Sequence, residues 1–172
     1  MTTQNLSKIK LLILDVDGVL TDGGIIVHSD GTESKRFSVI DGHRIKMWQR
    51  SGGLTAILSG RETQATTIRA QQLGITHVLQ GCLQKLPVFE KLLEELALSP
   101  GQVACMGDDI MDIPLIRRAG FGVAVANADD ELKKQADFIT CRKGGEGAVG
   151  EVIEYILKQS NQWDELMERY WV

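Results

Sequence analysis

Three short apolar runs in this chain each stop at a loop carrying chemically capable side chains, and that repetition constrains the fold more than any other feature. Residues 9–14 lead into Asp15-Val16-Asp17-Gly18, residues 54–58 into Ser59-Gly60-Arg61, and residues 103–106 into Gly107-Asp108-Asp109. Runs that are short, branched and without polar alternation read as strands buried on both faces, the habit of parallel sheets. Residues 121–125 and 138–140 read as further strands, and His77 is expected in a structural role at a strand start. Between them, residues 62–73 and 86–98 have apolar side chains at helical spacing, with Gly74 as a stop signal after the first. Residues 112–119 and 151–158 suggest two more helices. Alternation of this kind predicts an α/β fold, a doubly wound, Rossmann-like parallel sheet with helices on both faces. Ligands of such sheets sit beyond the carboxyl ends of the strands, where the three loops converge.

The 172 residues are expected to form one domain spanning 1–172. Residues 23–38 interrupt the alternation: two extended runs, 24–28 and 33–38, flank Ser29-Asp30-Gly31, a hairpin signal. The tail, residues 159–172, carries Trp163 and Trp171 and is expected to be a short amphipathic helix packed against something, such as another subunit. With a net charge of −4 and no basic tract, a nucleic-acid partner is not expected. No apolar stretch reaches the ~20 residues of a membrane helix, and no secretory signal pattern opens the chain. Cys82, Cys105 and Cys141 are odd in number and widely spaced, which fits reduced thiols and a cytoplasmic setting. An acidic chain that binds a phosphate must supply positive charge locally, from a metal, a lysine or backbone N–H groups.

The loops suggest how. Asp15 and Asp17 lie two residues apart just past a strand, and Gly18 permits a tight exit. One carboxylate can attack phosphorus while the other moves a proton to the leaving oxygen and from water. A calcium loop would need acidic or amide residues at alternate positions and a Glu at the twelfth, and that pattern is absent. The cluster Asp108, Asp109 and Asp112 offers hard oxygen ligands suited to magnesium. Asp108 is the expected ligand, with Asp109 and Asp112 in support. Ser59 and Gly60, between a strand and a helix, form a candidate anion site, and Lys85 a candidate point charge toward a phosphate. Thr21, His43, Arg44, Arg61 and Glu62 are the candidate substrate contacts.

Taken in order, these loops resemble the haloacid dehalogenase superfamily. Asp15-x-Asp17-Gly-x-x-Thr21 looks like its first motif, Ser59 its second, Lys85 its third, and Gly107-Asp108-Asp109-x-x-Asp112 its fourth. Further segments are similar to its small capless phosphatases of the 3-deoxy-D-manno-octulosonate 8-phosphate phosphatase type. They are Phe37-x-x-x-Asp41-Gly42, Arg69-Ala-x-x-Leu73-Gly74-Ile75, Gln80-Gly81 and Gly144-Gly145-x-Gly147-Ala148-Val149. The resemblance implies a magnesium-dependent hydrolase acting through an aspartyl-phosphate, with Asp15, Asp108 and the Asp17 main-chain carbonyl on the metal. It also implies a phosphorylated eight-carbon sugar acid as substrate, a role in lipopolysaccharide synthesis, and a homotetramer. Relatives of that type act on nine-carbon sialic-type 9-phosphates, which stand as an alternative substrate. A non-catalytic phosphate-binding subunit is the alternative outside enzymes. The chain departs from the family pattern where Arg44 replaces a glycine and where Glu146 and Gly150 replace arginines. Neither interval between motifs has room for a cap domain, so the 23–38 hairpin, from this or a neighbouring subunit, is expected to act as a flap that helps close the site.

Overall fold

The computed structural model describes residues 6–172. Strand β1 (Leu11–Leu14) is buried at all four positions, as an unalternating Leu-Leu-Ile-Leu run requires. A hairpin follows, β2 (Ile26–Val27) and β3 (Glu33–Ser34), then α1 (Val39–Arg50), β4 (Leu54–Leu58) and α2 (Gln64–Leu73). Next come β5 (His77–Leu79), α3 (Lys85–Glu95), β6 (Val103–Gly107), α4 (Ile113–Arg118) and β7 (Phe121–Ala124). The chain ends with α5 (Asp130–Lys133), β8 (Phe138–Ile139), α6 (Ala148–Gln159) and α7 (Trp163–Glu168).

Six strands form one parallel sheet in the order β5-β4-β1-β6-β7-β8. The chain winds outward from β1 through β4 to β5, then returns to β6 and winds the other way. The switch point therefore lies at β1, whose neighbours are β4 and β6. Leu14 pairs with Ile57 on one side and Met106 on the other, so the three strands end level and bring their following loops together. The doubly wound α/β class expected from the sequence is the fold observed.

Local signals explain most element ends. Ser38 accepts a hydrogen bond from the Asp41 N–H at the start of α1, and Thr63 accepts one from Thr66 at the start of α2. Gly74, at φ 65°, closes α2 in the left-handed conformation. Helix α6 begins three residues earlier than expected. Its start is tied down by Asp41, whose carboxylate accepts from Gly147 N–H at 3.2 Å and Gly150 N–H at 2.7 Å. Burial pushes the Asp41 carboxyl above its usual range, against the pull of those donors. The Phe37-x-x-x-Asp41-Gly42 motif thus builds the joint between α1 and α6.

The hairpin is shorter than its sequence pattern suggests, with two paired residues on each strand. Ile26 and Val27 are 55% and 66% exposed, so no packing on this chain extends the ladder. Among the described residues, the hairpin and α1 are the elements between β1 and β4, and only a short turn separates α3 from β6. No described helix is long and apolar enough to cross a membrane.

Candidate active site

The loop after β1 folds on itself at once. The Val16 carbonyl accepts from the N–H groups of Val19, Leu20 and Thr21. Gly18 sits at φ 89°, and a Cβ there would fall 1.9 Å from Asp108 Oδ2. The first and fourth loops are therefore in direct contact, and the close approach requires glycine. From below, the Gly144-Gly145 turn presses on the same loop: a Cβ at Gly144 would lie 1.6 Å from the Gly18 carbonyl oxygen. Gly145 also donates its N–H to the Val19 carbonyl.

Beside this loop, Lys85 reaches in from the first turn of α3. Its ammonium donates to Asp15 Oδ1 at 2.7 Å and to Asp112 Oδ1 at 2.5 Å, with only 4% of the side chain exposed. Burial alone would push the Lys85 ammonium down, but Asp15 and Asp112 outweigh it and hold it above the usual lysine range. The other Asp112 oxygen accepts from the N–H groups of Asp108 and Asp109. Asp112 thus braces the fourth loop and orients Lys85 at the same time. Asp109 caps the short turn at residues 110–112, accepting from the Ile110 N–H.

One oxygen each from Asp15, Asp108 and Asp112 lies within 4.8 Å of the others. Burial and then the Asp112 carboxylate push Asp15 up to about 6, with Lys85 pulling the other way. Burial, followed by Asp15, Asp112 and Asp109, pushes Asp108 up to about 8. Three crowded acids thus share one ammonium. A set of hard oxygen donors with too little positive charge fits a divalent cation.

A cavity of about 260 Å³ opens over this floor, lined by Asp15, Asp17, Ser59, Gly60, Arg61, Lys85 and Asp108 among others. Ser59 is fixed at the end of β4, donating its N–H to Leu79 and accepting the Cys82 N–H on its carbonyl. Its hydroxyl accepts from the Arg61 N–H. Of the residues expected at the site, Asp15, Asp17, Ser59, Gly60, Arg61, Lys85, Asp108, Asp109 and Asp112 all face this one cavity.

Four expected substrate contacts do not. Thr21 is fully buried, and its hydroxyl accepts from Gly18 and Gly23 while donating to Val16, so it braces the loop. His43 is exposed on α1 and bonds the Tyr170 hydroxyl of the tail at 2.9 Å. Arg44 lies over the Trp163 ring and pairs with Glu154 at 3.6 Å. Its stem occupies the space above Gly150, where a Cβ would come within 3.1 Å. Arg44 thus serves to anchor the tail. Glu62 lines an adjoining cleft with Thr32 and Glu33. The Asp17 side chain is not among the carboxylates gathered in the acidic cluster, in keeping with the expectation that its main-chain carbonyl is the ligand.

That carboxylate instead meets Lys35, a residue sequence reasoning passed over. Lys35 forms an ion pair with Asp17 Oδ1 and is 1% exposed in its side chain. Beside it, Glu33 pairs with Arg61 at 2.6 Å. A signal was present: Glu33, Lys35 and Phe37 share the parity of one face of an extended run.

Comparison with known proteins gives the same picture. The family described as haloacid dehalogenase-like hydrolase matches residues 62–153. The 3-deoxy-D-manno-octulosonate 8-phosphate phosphatase of Escherichia coli (strain K12) is 45% identical over 158 residues, covering 92% of this chain and 84% of the relative. Among solved structures, the Moraxella catarrhalis phosphatase of the same name, in complex with a magnesium ion, a phosphate ion and KDO, superposes with a TM-score of 0.95. It is 41% identical, with coverage of 97% and 96%. A probable YrbI-family phosphatase from Pseudomonas syringae gives a TM-score of 0.96 at 47% identity, covering 98% of this chain and 96% of its own.

Proposed function

Since the chain belongs to the haloacid dehalogenase-like hydrolases, we propose that it is a magnesium-dependent phosphatase that releases inorganic phosphate from 3-deoxy-D-manno-octulosonate 8-phosphate. The observation that carries this reading is the meeting of the first and fourth loops, with Asp15, Asp108 and Asp112 gathered around Lys85 at the switch point of the sheet.

Asp15 is the nucleophile. Lys85 holds its Oδ1, and the other carboxylate oxygen is the one that bonds to phosphorus as the ester P–O bond breaks. Asp17 gives a proton to the departing sugar oxygen. It then takes one from the water that attacks the aspartyl-phosphate, which frees inorganic phosphate and restores Asp15. The Ser59 hydroxyl, the backbone around Gly60 and Lys85 hold phosphoryl oxygens where charge rearranges. Asp15, Asp108 and the Asp17 carbonyl would hold magnesium, with Asp112 and Asp109 supporting the loop. When bound, the ion neutralises charge on the phosphoryl oxygens and on the crowded acids.

Arg61 is the remaining substrate contact lining the cavity, and a guanidinium there suits the carboxylate of a sugar acid. A homotetramer is favoured by the apolar, exposed Ile25, Ile26 and Val27 on the hairpin. Three free cysteines suit a cytoplasmic setting.

The test is phosphate release from a panel of eight- and nine-carbon sugar acid phosphates, with and without magnesium. Preference for the eight-carbon 8-phosphate is expected; preference for a nine-carbon 9-phosphate would move the substrate, and no release from any would refute the enzyme reading.

A further inference from the structure

Lys35 stands in an unusual place for a lysine. The hairpin around it is exposed, and a buried ammonium is costly unless it is paired. Its side chain is nonetheless 1% exposed, and its ion-pair partner among the described residues is Asp17. Extended backbone explains how it arrives there. Glu33, Lys35 and Phe37 alternate onto the inward face, where Glu33 meets Arg61 and Phe37 packs on the core. Ser34 and Arg36 point outward.

The two oxygens of Asp17 are then unequal. Oδ1 is held by the Lys35 ammonium. Oδ2 is buried and has no hydrogen-bond partner, with Arg61 Nε 3.8 Å away. A buried carboxylate oxygen without a partner is unusual enough to ask what it awaits.

We propose that Lys35 is the positioning residue of Asp17. It fixes Oδ1 so that Oδ2 is the oxygen that exchanges a proton with the leaving group and then with water. This rests on the reading of Asp17 as acid and base given above. It also assigns the hairpin a mechanistic task, since the proton-transfer group is set in place by the flap and not by the sheet.

Leaving groups separate this task from a merely structural one. An alkyl ester needs proton donation to depart, whereas an aryl ester such as p-nitrophenyl phosphate leaves with little help. In the full-length protein with magnesium, Lys35→Met should lower kcat/KM on the sugar phosphate about 100-fold, within the range general acid catalysis supplies. It should lower kcat/KM on p-nitrophenyl phosphate less than tenfold, which also reports that the variant is folded. Lys35→Arg, which keeps the charge, should return the ratio of the two substrates toward that of the unmodified protein. Equal losses on both esters, no loss on the alkyl ester, or an arginine variant as skewed as the methionine one would each overturn the proposal. Should Lys35→Met not fold, Lys35→Gln gives the same ratio. The unmodified protein's choice of sugar phosphate tests the functional reading separately, because the Lys35 ratio can be taken on any alkyl phosphomonoester it turns over.

Discussion

The floor of the cavity and the hairpin above it are held by different physics. On the floor, Asp15, Lys85 and Asp112 hang from strand ends and a helix start, are nearly excluded from solvent, and form one chain of contacts in which Lys85 and Asp112 each have two or more partners. The hairpin has two paired residues per strand and exposed apolar side chains, and it meets the rest of the site through the Lys35–Asp17 and Glu33–Arg61 ion pairs, an exposed Arg36–Asp22 pair and Phe37. The contrast suggests a division of labour. Groups that form and break bonds to phosphorus are fixed by the sheet and helix ends, while Asp17 and Arg61, which move the proton and grip the sugar, are paired to Lys35 and Glu33 of the hairpin.

Breaking the floor should have the largest effect. Asp15→Asn removes the nucleophile while leaving size and burial unchanged, and turnover should fall by roughly four orders of magnitude or more. Circular dichroism should find the fold intact, and near-normal hydrolysis would remove Asp15 from its role. Next, Lys85→Met leaves two buried carboxylates without their shared cation. The expected destabilisation is about 3–5 kcal/mol in denaturant titrations at fixed magnesium. A loss under about 1 kcal/mol would mean the cluster does not depend on Lys85 for its charge balance. Magnesium itself should stabilise the folded chain by about 2.7 kcal/mol at 100 times its Kd. EDTA should reverse that shift in Tm and abolish activity; a melting curve indifferent to both would contradict a cation site among Asp15, Asp108 and Asp112.

The same contrast explains what could be read from the sequence. The floor was legible because each of its residues lies within a few positions of a strand end, and the apolar run announces the strand. Parallel pairing then brings loops far apart in sequence to one edge without further information. What depended on side-chain direction was not legible. Thr21 lies within the first motif yet faces the loop interior, because the turn at Val16 rolls its hydroxyl beneath Gly18. His43 and Arg44 follow a motif segment, but the helical turn carries them to Tyr170 and Trp163. Lys35 was missed for the opposite reason: a lone lysine in an exposed hairpin reads as solvated, and only the parity shared with Glu33 and Phe37 hints otherwise. The packing of Arg44 over Gly150 needed coordinates, since 106 residues separate Asp41 from the Gly147 it holds at that same joint.

The smallest expected effect sharpens the comparison most, because it separates an exposed tie of the hairpin from its buried one. Glu33 and Arg61 meet at 2.6 Å, but the arginine side chain is 47% exposed, so water and salt screen the pair. Glu33→Gln should therefore weaken the hairpin by less than about 1 kcal/mol, which speeds amide exchange across residues 26–34 by about fivefold at most. Lys35, almost wholly buried against Asp17, is shielded from that screening, and Lys35→Met should speed exchange over the same residues by clearly more. Raising the salt to 1 M should reproduce most of the Glu33→Gln effect in the unmodified protein, and amides of β1 and β6 should not respond. If salt or Glu33→Gln released the hairpin as fully as loss of Lys35, the flap would be a surface feature held by ordinary charge. The buried tie to Asp17 would then have no special part in keeping it closed.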